Sequence, residues 1–218
     1  MAEIVYLDSP LESEALFERL CPPVRQWFKD KFPDFTPPQK LAIPAIMDQQ
    51  HLLLCSPTGS GKTLTAFLTV IDQLVRLALE RKLEKKVHAI YISPIKALAN
   101  DIQRNLIGPL NEITEHYLPD RAQEIRVGLR TGDTSQSDRQ KMLRNPPHIL
   151  ITTPESLAIA ITSPRFQPIV SEVEYMIIDE LHSMVSTKRG VHLSLTLSLL
   201  DSLLKNPVQR IGISATME

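Results

Sequence analysis

The sequence predicts an α/β fold, a mainly parallel sheet covered by helices on both faces. Short apolar, β-rich runs alternate with stretches of helical periodicity along the 218 residues. At one junction, Leu52 to Thr63 (LLLCSPTGSGKT), an apolar run passes through a glycine loop into an amphipathic stretch. Another apolar run ends in two adjacent acids, Ile177-Ile178-Asp179-Glu180. In sheets of this kind ligands collect outside the carboxyl ends of the strands.

The composition agrees with one large α/β domain. Hydrophobic residues make up 43% and charged residues 22%, as in ordinary globular proteins. No apolar run approaches the roughly 20 residues that span a bilayer. The start, MAEIVYLDSP, has no basic segment followed by an apolar core, so no export signal and no membrane partner are expected. Cys21 and Cys55 have no ligand-like spacing and read as reduced thiols, with the cytoplasm as the expected compartment. A net charge of −1 gives no global pull on nucleic acid, yet a strand held by backbone amides needs only a local patch. The run ERKLEKK at 80–86 reads as a solvated helix end. The sequence contains no repeat and no low-complexity tract.

Taken in order, residues 1 to about 50 read as helical and proline-punctuated, with segments at 11–20, 24–31 and 32–38. Residues 1–34 are expected to form an N-terminal helical extension of a domain covering 35–218. Trp27 and Phe28 read as core residues of that extension; the alternative is an aromatic covering an adenine ring. A helix carrying Leu41, Ile43 and Ile46 leads into the strand 52–55, and apolar residues from Leu64 to Ala78 mark the next helix. Then follow strand 87–93 and helix 96–117, strand 125–130 and helix 135–143, strand 148–152 and helix 155–161. Strand 174–179, helix 191–204 and strand 208–214 close the series.

Two stretches carry chemistry. In Ser56-Pro57-Thr58-Gly59-Ser60-Gly61-Lys62-Thr63, backbone N–H groups and a helix N-terminus converge on one place, which suits nucleotide phosphates. Lys62 reaches β- and γ-phosphates and the Thr63 hydroxyl ligates Mg²⁺. The general pattern asks for glycine at 56, where this chain has serine. Gln39, just ahead of the loop, has an amide that matches adenine N6 and N7. Asp179 is placed to hold the metal and Glu180 to take a proton from the attacking water. His182 is either a surface histidine or a link from nucleotide to a moving element, and the neighbouring acids favour the link. Ser214-Ala215-Thr216 ends the last strand, and its hydroxyls are expected to bond His182 or Asp179.

The order SPTGSGKT, DELH, SAT resembles the first RecA-like domain of superfamily 2 helicases. With SPIKALA, RTGDT, ITTPESL, DELHSM and TKRGVHL the chain is most similar to the large helicase-related (Lhr-type) DNA helicases, from about Phe35 to the end. DEAD-box RNA helicases fit less well, since they carry Asp-Glu-Ala-Asp where this chain has DELH. The resemblance implies a P-loop NTPase that uses ATP and Mg²⁺ to move 3′ to 5′ along single-stranded or forked DNA. It assigns strand-gripping roles to Pro94, Lys96, Gly132, Thr153, Pro154 and Glu155, expected on the sheet face away from the nucleotide loops. It assigns coupling to His182, Ser214 and Thr216. Sequence-independent contact through N–H groups, hydroxyls and one lysine fits those residue types, although Thr152 and Thr153 before Pro154 also suit a plain helix start. A second RecA-like domain, bringing arginine fingers, is expected outside these residues. RNA remains an alternative substrate. A P-loop kinase would not explain DELH with SAT, and intact Lys62, Asp179 and Glu180 argue against a nucleotide-gated binding module without turnover.

Overall fold

The computed structural model describes residues 4–57, 59–94, 101–120 and 122–215. A six-stranded sheet, order β1-β6-β5-β2-β4-β3, is parallel at every pairing. Its strands are β1 (Leu52–Cys55), β2 (Ala89–Ile92), β3 (Val127–Arg130), β4 (Ile149–Thr152), β5 (Tyr175–Ile178) and β6 (Gln209–Ser214). The central strands bury both faces, so their side chains alternate between two cores. Ala89, Tyr91, Ile149, Ile151, Tyr175, Ile177, Ile211 and Ile213 join one cluster. Ile90, Ile92, Leu150, Met176 and Ile178 join the other.

The first core is roofed by α1 (Ser13–Arg19), α2 (Pro22–Lys31), α3 (Pro37–Met47), α4 (Lys62–Leu79) and α5 (Gly108–His116). The second is roofed by α7 (Pro154–Ile161), α8 (Gln167–Val170) and α10 (Lys188–Leu203). The short helices α6 (Gln136–Arg144) and α9 (Leu181–Met184) complete the set among the described residues.

The N-terminal helices share the core of the sheet. Leu16, Phe17, Val24, Trp27, Phe28 and Phe35 lie in the same apolar cluster as the α4 residues. Trp27 and Phe28 are buried, Phe28 stacks on Phe35 at 4.2 Å, and the Trp27 indole donates to Glu112 Oε2 at 2.7 Å. The start of α2 is tied down by α4. Asp72 Oδ1 accepts from the Cys21 N–H at 2.6 Å, and Oδ2 takes Arg76 Nε at 2.7 Å. Burial and the Asp72 charge push the Cys21 thiol up to about 12, and it is a buried free cysteine, whereas Cys55 is exposed.

Several expected elements change. The segment 32–38 is not one helix: α2 ends at Lys31, and α3 begins at Pro37. Phe32 and Thr36 each precede a proline and adopt extended backbone (φ −132°, ψ 141° and φ −70°, ψ 155°), as the proline ring forces. The helix expected at 96–117 contains a π-helical turn, Gln103–Ile107, before α5; its first residues lie outside the described ones. Pro109 has no N–H for a regular i→i−4 bond, and Gly108 N–H instead reaches Gln103 O. α10 begins earlier than expected because the Thr187 hydroxyl caps it, accepting from Gly190 N at 3.2 Å. The strand expected at 125–130 begins at Val127, and the four-residue helices α8 and α9 had no periodic signal to announce them. No described helix is long and apolar enough to cross a membrane.

Candidate functional site along the carboxyl edge

Because every strand runs the same way, all six carboxyl ends lie along one edge. The phosphate-loop residues leave β1 there, beside β6, and the Ser56 N–H donates to Ser214 O at 3.3 Å. Gly59 and Gly61 both sit at φ +84°, the left-handed region that side chains resist. Ser56 is not among the positive-φ residues, which explains why serine is tolerated where the pattern asks for glycine. Its hydroxyl bonds that of Ser60. Lys62, 8% exposed, donates its Nζ to Pro57 O at 2.6 Å and to Ser56 O, so the loop wraps its own ammonium. Thr63 follows, half-buried, in the first turn of α4.

Gln39 closes this loop from α3. Its Oε1 accepts from the Thr36 N–H at 2.8 Å, half of a capping box, which leaves its NH₂ facing Gly61. A Cβ on Gly61 would stand 3.0 Å from Gln39 Nε2. The Thr36 hydroxyl donates to Ser60 O at 3.1 Å. Gln39, Ser56, Pro57, Gly59, Ser60, Gly61, Lys62 and Thr63 are therefore gathered in one place; Thr58 lies outside the described residues.

The acidic pair follows β5, on the other side of β6 from β1. Asp179, 5% exposed, donates its N–H to Ile92 O at 2.9 Å. Its Oδ1 accepts from the Glu180 N–H at 2.7 Å and its Oδ2 from the Tyr91 hydroxyl. Burial raises its pKa, opposed by those two hydrogen bonds and by the Lys62 charge, with Asp101 adding to the rise. Glu180 is left-handed at φ 55°, ψ 37°, strain that a non-glycine residue carries where the chain turns from strand into α9. His182 bridges the two motifs. Its Nδ1 accepts from Ala215 N–H at 3.3 Å and lies 3.2 Å from Ser214 Oγ, while Nε2 lies 3.1 Å from Glu180 Oε2. A backbone N–H can only donate, so neutral His182 carries its proton on Nε2 and points it at Glu180. His182 thus touches Glu180 with one ring nitrogen and Ser214 and Ala215 with the other; Thr216 lies outside the described residues.

The second set of motifs lies on the same edge, not on a face turned away from the nucleotide loops. Pro94 lies two residues past the end of β2, Gly132 follows β3, and Thr153-Pro154-Glu155 opens α7 after β4; Lys96 is outside the described residues. An all-parallel sheet leaves no other placement, and the two sets are separated sideways, β1-β6-β5 from β2-β4-β3. The Thr153 hydroxyl caps α7, accepting from Ser156 N at 3.3 Å. Glu155 is paired with Arg189 at 2.7 and 3.2 Å, joining the first turns of α7 and α10. Arg139 donates to Gly132 O at 3.0 Å, and Arg130 lies 4.5 Å above the Phe166 ring.

Four residues with clear roles in this geometry were missed from sequence: Thr36, Tyr91, Arg139 and Arg189. Thr36 was legible, since Thr36-Pro37-Pro38-Gln39 fits a capping box. Tyr91 carried only a weak signal, a polar-tipped ring inside an apolar strand. Arg139 and Arg189 meet their partners through tertiary packing.

Residues 36–218 match the DEAD/DEAH box helicase family. The chain is 49% identical to the ATP-dependent helicase Lhr-Core of Methanocaldococcus jannaschii, over 100% of this chain and 26% of that protein. It is 45% identical to the Lhr helicase/uracil glycosylase of Escherichia coli, over 96% of this chain and 14% of that protein. The structure of Mycobacterium smegmatis helicase Lhr bound to ssDNA and AMP-PNP superposes with a TM-score of 0.81 at 45% identity, covering 91% of this chain and 25% of that one. The chain thus spans about a quarter or less of the length of these relatives. With its RecA-like sheet, phosphate loop and acidic pair, the chain belongs to the DEAD/DEAH box helicase family.

Proposed function

We propose that this chain is the first motor domain of an ATP-dependent helicase that translocates 3′ to 5′ along single-stranded DNA, in repair or recombination. The observation that carries the reading is the shared edge: a phosphate loop and acidic pair at β1-β6-β5, with three strand-end turns alongside at β2-β4-β3. The Lhr relative from Mycobacterium smegmatis, solved with ssDNA and AMP-PNP, supports DNA as the strand.

The residues fit a Mg²⁺-nucleotide. Two glycines hold a backbone that a side chain would strain, and the donors are an ammonium, loop N–H groups and a helix N-terminus. Thr63 and Asp179 would hold the metal, which supplies charge neutralisation and orientation at the phosphates. Lys62 would exchange two loop carbonyls for phosphate oxygens, and Gln39 would reach the base with its NH₂. Glu180, oriented by His182 Nε2–H, accepts the proton of the attacking water and so makes oxygen a better nucleophile. His182 also bonds Ala215, so a shift of the base is felt at the end of β6. At the other half, N–H groups and hydroxyls near Pro94, Gly132 and Thr153 would meet phosphates without reading bases. Turnover at full rate requires arginine fingers from a second RecA-like domain.

The test is steady-state ATP hydrolysis with and without single-stranded DNA or RNA, for this chain and for a protein carrying both motor domains. The reading expects slow hydrolysis by the chain alone and strand-stimulated hydrolysis by the longer protein, larger with DNA. Larger stimulation by RNA would assign RNA as the substrate. Absence of Mg²⁺-nucleotide binding would overturn the assignment of the site.

A further inference from the structure

Tyr91 is buried in the middle of the sheet, and no motif of the loop or acidic pair contains it. It pairs in register with Ile177 of β5, and Asp179 lies two residues further along that strand's path. Side chains two apart share a face, so Tyr91 and Asp179 both face the α4 side. Two residues advance about 6.6 Å, a distance a phenol leaning along the strand spans, and the Tyr91 hydroxyl donates to Asp179 Oδ2. The ring cannot swing away, because Phe67 of α4 packs against it at 4.8 Å between centroids. α4 is the helix that begins with Lys62, so one stack connects the phosphate-loop helix to the acidic strand end.

The consequence concerns the freedom of a carboxylate. The terminal torsion of an aspartate is broad and two-fold, so one fixed contact leaves the group able to rotate. Asp179 has two: Oδ1 to its neighbour's N–H at 2.7 Å and Oδ2 to Tyr91. Each oxygen keeps a second lone pair. We propose that Tyr91 is a positioning residue for Mg²⁺ binding: its hydroxyl fixes the plane of Asp179 so that the remaining lone pairs face the metal or its water. The inference rests on the reading of Asp179 as a metal ligand. Outer-shell partners of this kind are typically worth 10- to 100-fold in metal affinity.

The experiment is a Mg²⁺ titration of fluorescent ADP binding to this chain, with parallel titrations in EDTA and thermal melts. Tyr91→Phe removes one oxygen and keeps the ring on Phe67. It is expected to raise the half-saturating Mg²⁺ about tenfold, with EDTA affinity unchanged within about twofold. Asp179→Asn is expected to lose the Mg²⁺ effect. If Tyr91→Phe titrates like wild type while Asp179→Asn does not, Tyr91 is not the positioning residue and the metal reading stands. An equal weakening of Tyr91→Phe with and without Mg²⁺ makes Tyr91 a packing residue and overturns the proposal. If Asp179→Asn also titrates like wild type, the metal reading itself falls, and the proposal with it.

Discussion

Gly61→Ala tests the phosphate loop most sharply, because its cost can be compared with that of Gly59→Ala. Both glycines sit at φ +84°, and forcing an alanine into a left-handed conformation costs about 1–2 kcal/mol. At Gly59 no described residue beyond the chain neighbours stands within 4 Å of the new Cβ, so the backbone term is the cost counted there. At Gly61 the Cβ meets Gln39 Nε2 at 3.0 Å and Cδ at 3.6 Å. The Gln39 amide is the end of a flexible side chain, but its Oε1 is held by the Thr36 N–H at 2.8 Å. Moving it gives up that hydrogen bond, about 1 kcal/mol. Gly61→Ala is therefore expected to cost about 2–3 kcal/mol. At about 2–4 °C per kcal/mol for a chain of this size, Tm should fall by about 4–12 °C. The assay is a thermal melt of Gly59→Ala, Gly61→Ala and each in a Gln39→Ala background. In that background the excess of Gly61→Ala over Gly59→Ala should vanish. Equal melting of the two single variants in the wild-type background would refute the contact between Gln39 and the loop.

Other perturbations follow from the same geometry. Lys62→Ala should abolish nucleotide binding, measured by fluorescent ADP titration. Glu180→Gln should bind normally yet lower turnover about 10²- to 10⁴-fold in a protein with both motor domains; full hydrolysis would remove Glu180 from the role of base. Asp72→Ala leaves the Cys21 N–H without its partner and Arg76 without its counter-charge, and should cost about 2–3 kcal/mol by urea midpoint. Burial, helped by the Arg126 charge and by His88, holds the His148 pKa down at about 3. The unfolded chain therefore takes up the proton first, so stability is full above about pH 6.5 and falls as pH drops toward 3. By pH 5 the loss is about 2 kcal/mol. His148→Gln should flatten that slope in a pH series of melts, and an unchanged slope would reassign it.

The two stretches that carry the chemistry were readable because each is contiguous. Ser56 to Thr63 and Asp179-Glu180 depend on a strand, a turn and a helix start that lie within a dozen residues. Alternation of apolar and helical patterns likewise announced a sheet covered on both sides, since period two and period 3.6 are local properties. Prolines 33 and 37 are plain in the sequence too, and their rings hold Phe32 and Thr36 extended, which breaks the segment expected at 32–38. Strand order was not readable at all: nothing in the sequence puts β6 between β1 and β5, yet that placement brings Ser214 to the phosphate loop and His182 to Ala215. The same holds for the lateral division of the edge, for Arg189 on Glu155 and for Tyr91 on Asp179, pairs 34 and 88 residues apart. Sequence by itself determined which residues could do chemistry, because residue type and local backbone demand are written in neighbours. Only the tertiary structure decided which of them meet, because packing two faces of one sheet selects contacts that sequence distance does not record.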